Sequence, residues 1–236
     1  MRRSIYLLLA VVLGLSCSDN AFLMEEESGE WRGSGKLISE SRDVTDFRAI
    51  QAEGPITTVV SRGEGPQLMV TADDNIIHRV VASVRGNTLY LSLKDGNYHN
   101  IWVRVEVRLP ALEGLVNAGN GSMQVKGIAS DGLLALRNSG SGTVFLEGYA
   151  QALTLENTGS GSVRAFELQT NQCHVENLGS GSCELYCTGT LEGLNSGSGS
   201  IRYKGPAGVS VRNTGSGSVV LAPQEEGEGV GDLVFL

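Results

Sequence analysis

Asn157-Thr-Gly-Ser-Gly-Ser162 is one of six copies of a single phrase. The others are Asn117-Ala-Gly-Asn-Gly-Ser122, Asn138-Ser-Gly-Ser-Gly-Thr143, Asn177-Leu-Gly-Ser-Gly-Ser182, Asn195-Ser-Gly-Ser-Gly-Ser200 and Asn213-Thr-Gly-Ser-Gly-Ser218. Successive copies have their first glycines 21, 19, 20, 18 and 18 residues apart. A repeat this short cannot bury its own apolar face, so it must stack on its neighbours. The period therefore predicts a solenoid.

The flanks say which kind. Two and four residues before four of the six asparagines stand apolar pairs, Leu134 and Leu136, Leu153 and Leu155, Cys173 and Val175, and Val209 and Val211; before Asn195 stand Leu191 and Gly193. After the turn the alternation resumes with Val144 and Leu146, Val163 and Ala165, Cys183 and Leu185, and Ile201 and Tyr203. Period two means strand, with one face inward. Each unit reads strand, tight turn, strand, return loop. The expected fold is all-β, a parallel β-helix of about 18–21 residues per coil in the C-terminal half. The asparagines share the inward parity. Asn117, Asn138, Asn157, Asn177, Asn195 and Asn213 should form a ladder whose amides satisfy one another. The glycines are expected to supply positive φ at that corner.

The preceding region is less regular. Trp102 to Leu109 alternates Val103, Val105, Val107 and Leu109 against charged residues, a half-buried strand ended by Pro110. Leu89, Leu91 and Leu93 mark another. Asp73-Asp-Asn75 reads as a helix cap, followed by Ile76, Ile77, Val80, Val81 and Val84 at helical spacing; their β-branched content pulls the other way, so the reading is one or two helical turns running into a strand. Residues 17–43 are acidic around Glu25-Glu-Glu-Ser-Gly-Glu30 and without periodicity, which predicts a flexible tether. The organisation is a signal peptide over 1–16, the tether, one β-helix domain over 44–223 and a tail over 224–236. Within the domain, irregular coils occupy 44–110 and the regular repeats 111–223.

Arg2 and Arg3 precede the apolar run Ile5 to Leu15, too short for a good membrane span. Cys17 follows that run and resembles the lipobox cysteine of bacterial lipoproteins, although Gly14 and Leu15 depart from the usual order. The alternatives are a plain secretory signal or an uncleaved anchor. The lipid reading places the chain in the cell envelope as an outer-membrane lipoprotein, on either face, and makes the membrane its first partner through the anchor. The formal net charge of -8, with no basic stripe, argues against nucleic acid. Cys173, Cys183 and Cys187 leave an odd number, so no full disulfide framework is written. Cys183 and Cys187 would lie about 13 Å apart on a strand, too far to bridge unless it bends. A Cys173–Cys187 bridge stays open, since an oxidising compartment permits it.

Phe47-x-x-Ile50, Asp73-Asp-Asn75, Thr88-Leu-Tyr-Leu91 and the N-x-G-S-G-S turns together resemble the head GIN domain family, over roughly residues 44–222. Its members are described as auto-transporter adhesins and are common as lipoproteins in Bacteroidetes. The resemblance implies a right-handed parallel β-helix and transfers no catalytic motif.

Several chemistries fail on their motifs. The refrain lacks the lysine of a phosphate loop, the serine elbow of a hydrolase and the aspartate of a calcium β-roll. His78, His99 and His174 match no metal spacing, and no metal or cofactor is expected. One surface feature invites a function. On the outward parity, Phe166 and Tyr186 should stack in adjacent coils, beside a column of Phe145, Arg164, Glu184 and Arg202. Cross-strand pairing accounts for such columns. Phe145, Arg164, Phe166, Tyr186 and Arg202 also form a candidate surface for a glycan or protein partner. The primary expectation is a non-enzymatic envelope adhesin or scaffold, of oligomeric state left open. A polysaccharide-active enzyme and a purely structural or envelope-stress protein are the alternatives.

Overall fold

The computed structural model describes residues 29–223. The expected signal peptide, Cys17 and the tail over 224–236 lie outside the described residues.

The repeats form a parallel β-helix. Its long strands, Met123–Asn138, Val144–Asn157, Val163–Asn177 and Cys183–Asn195, each wrap most of a coil and pair in parallel with the next. Inward residues stack in columns. Leu134, Leu153, Cys173 and Leu191 form one, and Val144, Val163, Cys183 and Ile201 another; all are buried. With few aromatics in the chain, aliphatic stacking carries the core, at about 1.5–3 kcal/mol for each fully buried Val or Leu. The final coil breaks the pattern. Val209 is 40% exposed and Leu221 59%, although both hold inward parity. No described coil stacks beyond them.

The refrain glycines do something other than expected. None of them adopts a positive φ. They are required because coils meet there backbone to backbone. A Cβ on Gly140 would lie 1.8 Å from the Gly119 carbonyl oxygen, and one on Gly161 2.1 Å from that of Gly142. Columns of glycine let the coils close to strand spacing at the corner. The constraint is steric and comes from the neighbouring coil, not from the local dihedral.

The N-terminal half joins the same sheet but is not purely parallel. Thr57–Arg62 pairs in parallel with both Met123–Asn138 and Val103–Leu109. Gln67–Asp73 then runs antiparallel to Val103–Leu109, and Leu37–Arg42 antiparallel to Gln67–Asp73. Two expectations are corrected here. The tether does not extend to residue 43. Glu30–Arg32 pairs in parallel with Asn97–His99, and Leu37–Arg42 forms a sheet strand. Composition concealed this, because the strand Leu37–Arg42 lies mostly exposed and needs no apolar periodicity. The helical turns after Asn75 shrink to a single 3-10 turn, Ile77–Arg79, with no side-chain cap. The strand expected to follow is Val80–Arg85, as its β-branched residues favour.

Candidate functional site

The asparagine corner is a closed internal device. Each amide nitrogen donates to the oxygen of the next asparagine, at 3.0, 2.9, 2.9, 3.0 and 3.0 Å from Asn117 through to Asn213. Asn117 and Asn157 also donate to refrain carbonyls, those of Gly142 and Gly181. Backbone N–H groups of each turn reach the asparagine carbonyl one coil back, as from Thr158 to Asn138 at 3.0 Å. Every one from Asn117 to Asn195 is buried; Asn213 is exposed and turns its amide to Gly217. These groups satisfy one another and leave nothing for a ligand.

The outward face is different. Phe145, Arg164, Glu184 and Arg202 occupy one register row, as read from the sequence. Arg164 lies over the Phe145 ring, 5.3 Å from its centroid, and Arg202 pairs with Glu184 at 2.8 Å. Phe166 and Tyr186, however, are not partners. Coil length drops from 20 to 18 residues here, and the register slips between Ala165 and Gln169. Tyr186 therefore faces Gln169, and residues 166–168 have no partner on the next coil. The released Phe166 ring instead receives the Lys204 ammonium at 4.7 Å and the Arg202 guanidinium at 5.6 Å. Cation–π contacts of this kind contribute about 0.5–1 kcal/mol at exposed sites.

A groove lies beside the slip. Phe145, Phe166, Lys126, Arg164, Glu147 and Glu167 are among its walls, and it encloses about 440 Å³. Glu147 and Glu167 are direct neighbours across the strands. Half-buried rings beside both signs of charge form a mixed surface that can accept an apolar face and fix its orientation through polar groups. Four of the five residues singled out on this face adjoin the groove or its cation cluster; Tyr186 does not line it.

Other outward acids sit in charge rows along the coils. Arg137 meets Glu156 at 3.8 Å, and His174 meets Glu176 at 3.4 Å. Such exposed pairs add little, about 0–1 kcal/mol.

Sequence reasoning missed one cluster in the N-terminal half. Asp73 is buried and accepts from the Gly35 and Trp102 N–H groups at 2.8 and 2.7 Å. Asn75 accepts from Ser34 and donates to the Arg32 carbonyl. Asp74 takes the Ser34 hydroxyl at 2.7 Å and the Lys36 ammonium at 3.3 Å, and that hydroxyl first, then Lys36, holds its carboxyl below the usual range. Arg79 stacks over Trp31 at 4.1 Å and donates to the Tyr98 hydroxyl. The Asp73-Asp-Asn75 triplet is thus a clamp on residues 32–36, not a helix cap. The lone Trp31 in an acidic stretch was the available signal.

Among solved structures, an adhesin from Bacteroides fragilis, described as putative, is 25% identical, with a TM-score of 0.67 over 81% of this chain and 99% of that one. Two Parabacteroides distasonis proteins, one described as a putative adhesin and one as a putative lipid binding protein, are each 22% identical. Each reaches a TM-score of 0.50 over 82% of this chain and all of theirs, which is a likeness of fold. No curated protein matches. The family profile described as "Putative auto-transporter adhesin, head GIN domain" matches residues 46–207, nearly all of the solenoid built by the asparagine and glycine columns, and the chain belongs to that family.

Proposed function

We propose that the chain is a non-enzymatic adhesin of the cell envelope, held to the outer membrane by lipid on Cys17, which binds a saccharide along the Phe145–Phe166 groove. The groove carries the reading. It lies where the repeat departs from its own rule, and a rigid solenoid holds its walls on strands. Phenylalanine faces suit the apolar face of a sugar ring, and Arg164 and Glu167 suit its hydroxyls. The family description and the Bacteroides relative support adhesion and a place in the envelope. The refrain has neither a phosphate-loop lysine nor a serine elbow, which supports a non-catalytic role.

The test is a glycan array probed with the chain lacking residues 1–17, wild type against Phe145→Ala/Phe166→Ala. The wild type should retain a set of glycans and the double variant should lose it by tenfold or more. Equal binding by both, or retention of protein ligands alone, rejects the saccharide groove. Release of oligosaccharide from envelope polysaccharide would reject the non-enzymatic part. Protease shaving of intact cells, with Cys17→Ser as control, tests display. Protection of the wild-type domain would place it on the periplasmic face and rule out adhesion.

A further inference from the structure

Three thiols lie in the core, and they are not equivalent. Cys183 stands between Val163 and Ile201 in an aliphatic column, and burial pushes its thiol up to about 12. It behaves as a small hydrophobe. Cys173 and Cys187 occupy a corner together. Cys187 is the direct partner of Thr170 on the adjoining coil. The Thr170 hydroxyl donates to the Tyr186 carbonyl at 2.7 Å and lies 2.8 Å from the Cys173 sulfur. The Cys187 sulfur is 3.1 Å from the Thr190 carbonyl, with Asn171 O at 3.5 Å. Both sulfurs therefore converge on one small interior volume. They are near enough to perturb each other: Cys173 draws the Cys187 thiol down to about 7, while Cys187 and then burial push the Cys173 thiol up.

The columns show that this is local. In the coil before, the equivalent positions hold Ala150 and Leu153; in the coil after, Leu191 follows Cys173. Sulfur occupies both columns only across this one junction. It is the junction where coil length falls from 20 to 18 residues and the strand pairing slips on both sides of Thr170. Fewer backbone pairs hold these two coils together at the corner than hold the preceding two, where Glu147 to Ala150 are all paired.

We propose that Cys173 and Cys187 are a disulfide site that clasps these two coils together once the chain reaches an oxidising compartment. The oxidant is a disulfide donor of the thiol–disulfide exchange class. The Cys187 thiolate attacks one sulfur of the donor and expels the donor's other sulfur as a thiolate. The Cys173 thiol then loses its proton to solvent and attacks the Cys187 sulfur, expelling the second donor thiolate. One S–S bond forms in the protein and one breaks in the donor. The protein gives up two electrons and two protons, and the donor leaves as two thiols. The clasp closes a short loop, which restricts the unfolded chain. It also fixes the junction whose slip releases Phe166. Because Cys183 takes no part, the odd cysteine count is resolved by one pair and one inert core thiol.

The full chain incubated with oxidised glutathione, then blocked and cut after glutamate without reduction, separates the three core thiols from one another and from Cys17, which falls on residues 1–25. Cys173 falls on residues 168–176, Cys183 on 177–184 and Cys187 on 185–192. The expected product joins 168–176 to 185–192 and is two hydrogens lighter than the two peptides together, with Cys183 alkylated only after denaturation. A linkage through Cys183, or all three thiols alkylated, overturns the proposal. Thermal melting gives an independent reading. Reductant should lower the midpoint of the oxidised wild type and of Cys183→Ser by roughly 5–10 °C, and should leave Cys187→Ser unmoved. A midpoint indifferent to reductant in the wild type also overturns it. If Cys187→Ser does not fold, the peptide map of the wild type decides alone.

Discussion

Residues 111–223 and most strands of residues 29–110 share one sheet, yet the two regions are held together differently. In the repeats, the turn residues are matched by copies of themselves one coil away. Asparagine meets asparagine, and glycine meets glycine. In the N-terminal half the special contacts are unique. One Asp73 satisfies two distant N–H groups, and one Arg79 is stacked on one Trp31. The first kind of order is distributed, so a single change is felt by two neighbours. The second is concentrated, so a single change releases one segment.

The sharpest way to break the contrast is at a refrain glycine. Gly140→Ala should destabilise by more than about 3 kcal/mol, since its methyl would overlap the Gly119 backbone on the stacked coil. Gly65→Ala has open space and an ordinary φ, and should stay within about 0.5 kcal/mol in the same denaturant titration. Comparable losses at both sites would mean that the backbone contact does not set the requirement.

Next comes the ladder. Asn157→Ala removes three hydrogen bonds and leaves the Asn138 donor and the Asn177 acceptor buried without that partner. The expected cost is about 3 kcal/mol. Asn213→Ala, at the exposed end, should cost under about 1 kcal/mol. Equal costs would show that the ladder is not cooperative with burial.

A smaller global effect with a clear local one is expected from Trp31→Ala. It removes the ring beneath Arg79 and should expose Arg32 and Lys36 to trypsin several-fold faster. The unfolding midpoint of the repeats should hardly move. A matching global loss would join the two regions into one unit of stability.

The smallest effect concerns pH. Asp74 has its carboxyl held below the usual range by Ser34 and Lys36. A depressed folded pKa means stabilisation that is present above the unfolded value and lost as pH falls through the folded one. Amide protection of residues 34–36 by hydrogen exchange should therefore persist at the ordinary carboxylate pKa and fade only below it. Asp74→Asn should abolish that dependence.

Much of the fold was legible because it repeats. Six copies of one phrase carry the period, and alternation on either side carries the parity, so the inward columns of Leu153 and Val163 could be assigned residue by residue. The site was less legible. The row Phe145–Arg164–Glu184–Arg202 followed from spacing alone, but the Phe166–Tyr186 stack did not survive the register slip. Unequal coil lengths are visible in the sequence, while the place where the surplus residues bulge is not. It depends on which arrangement keeps Leu168 buried and the asparagines aligned. The segment 29–43 was misread because its contacts are made with residues far along the chain.

The sequence by itself determined that this is a stacked β-helix, where its corner lies and which side chains face inward. Those follow from local periodicity, and each repeat restates it. The tertiary structure alone decided why the refrain must be glycine, where Phe166 points and what Asp73 holds. Each of these is set by the coil above or below, or by a segment dozens of residues away, and no local pattern records a neighbour's distance.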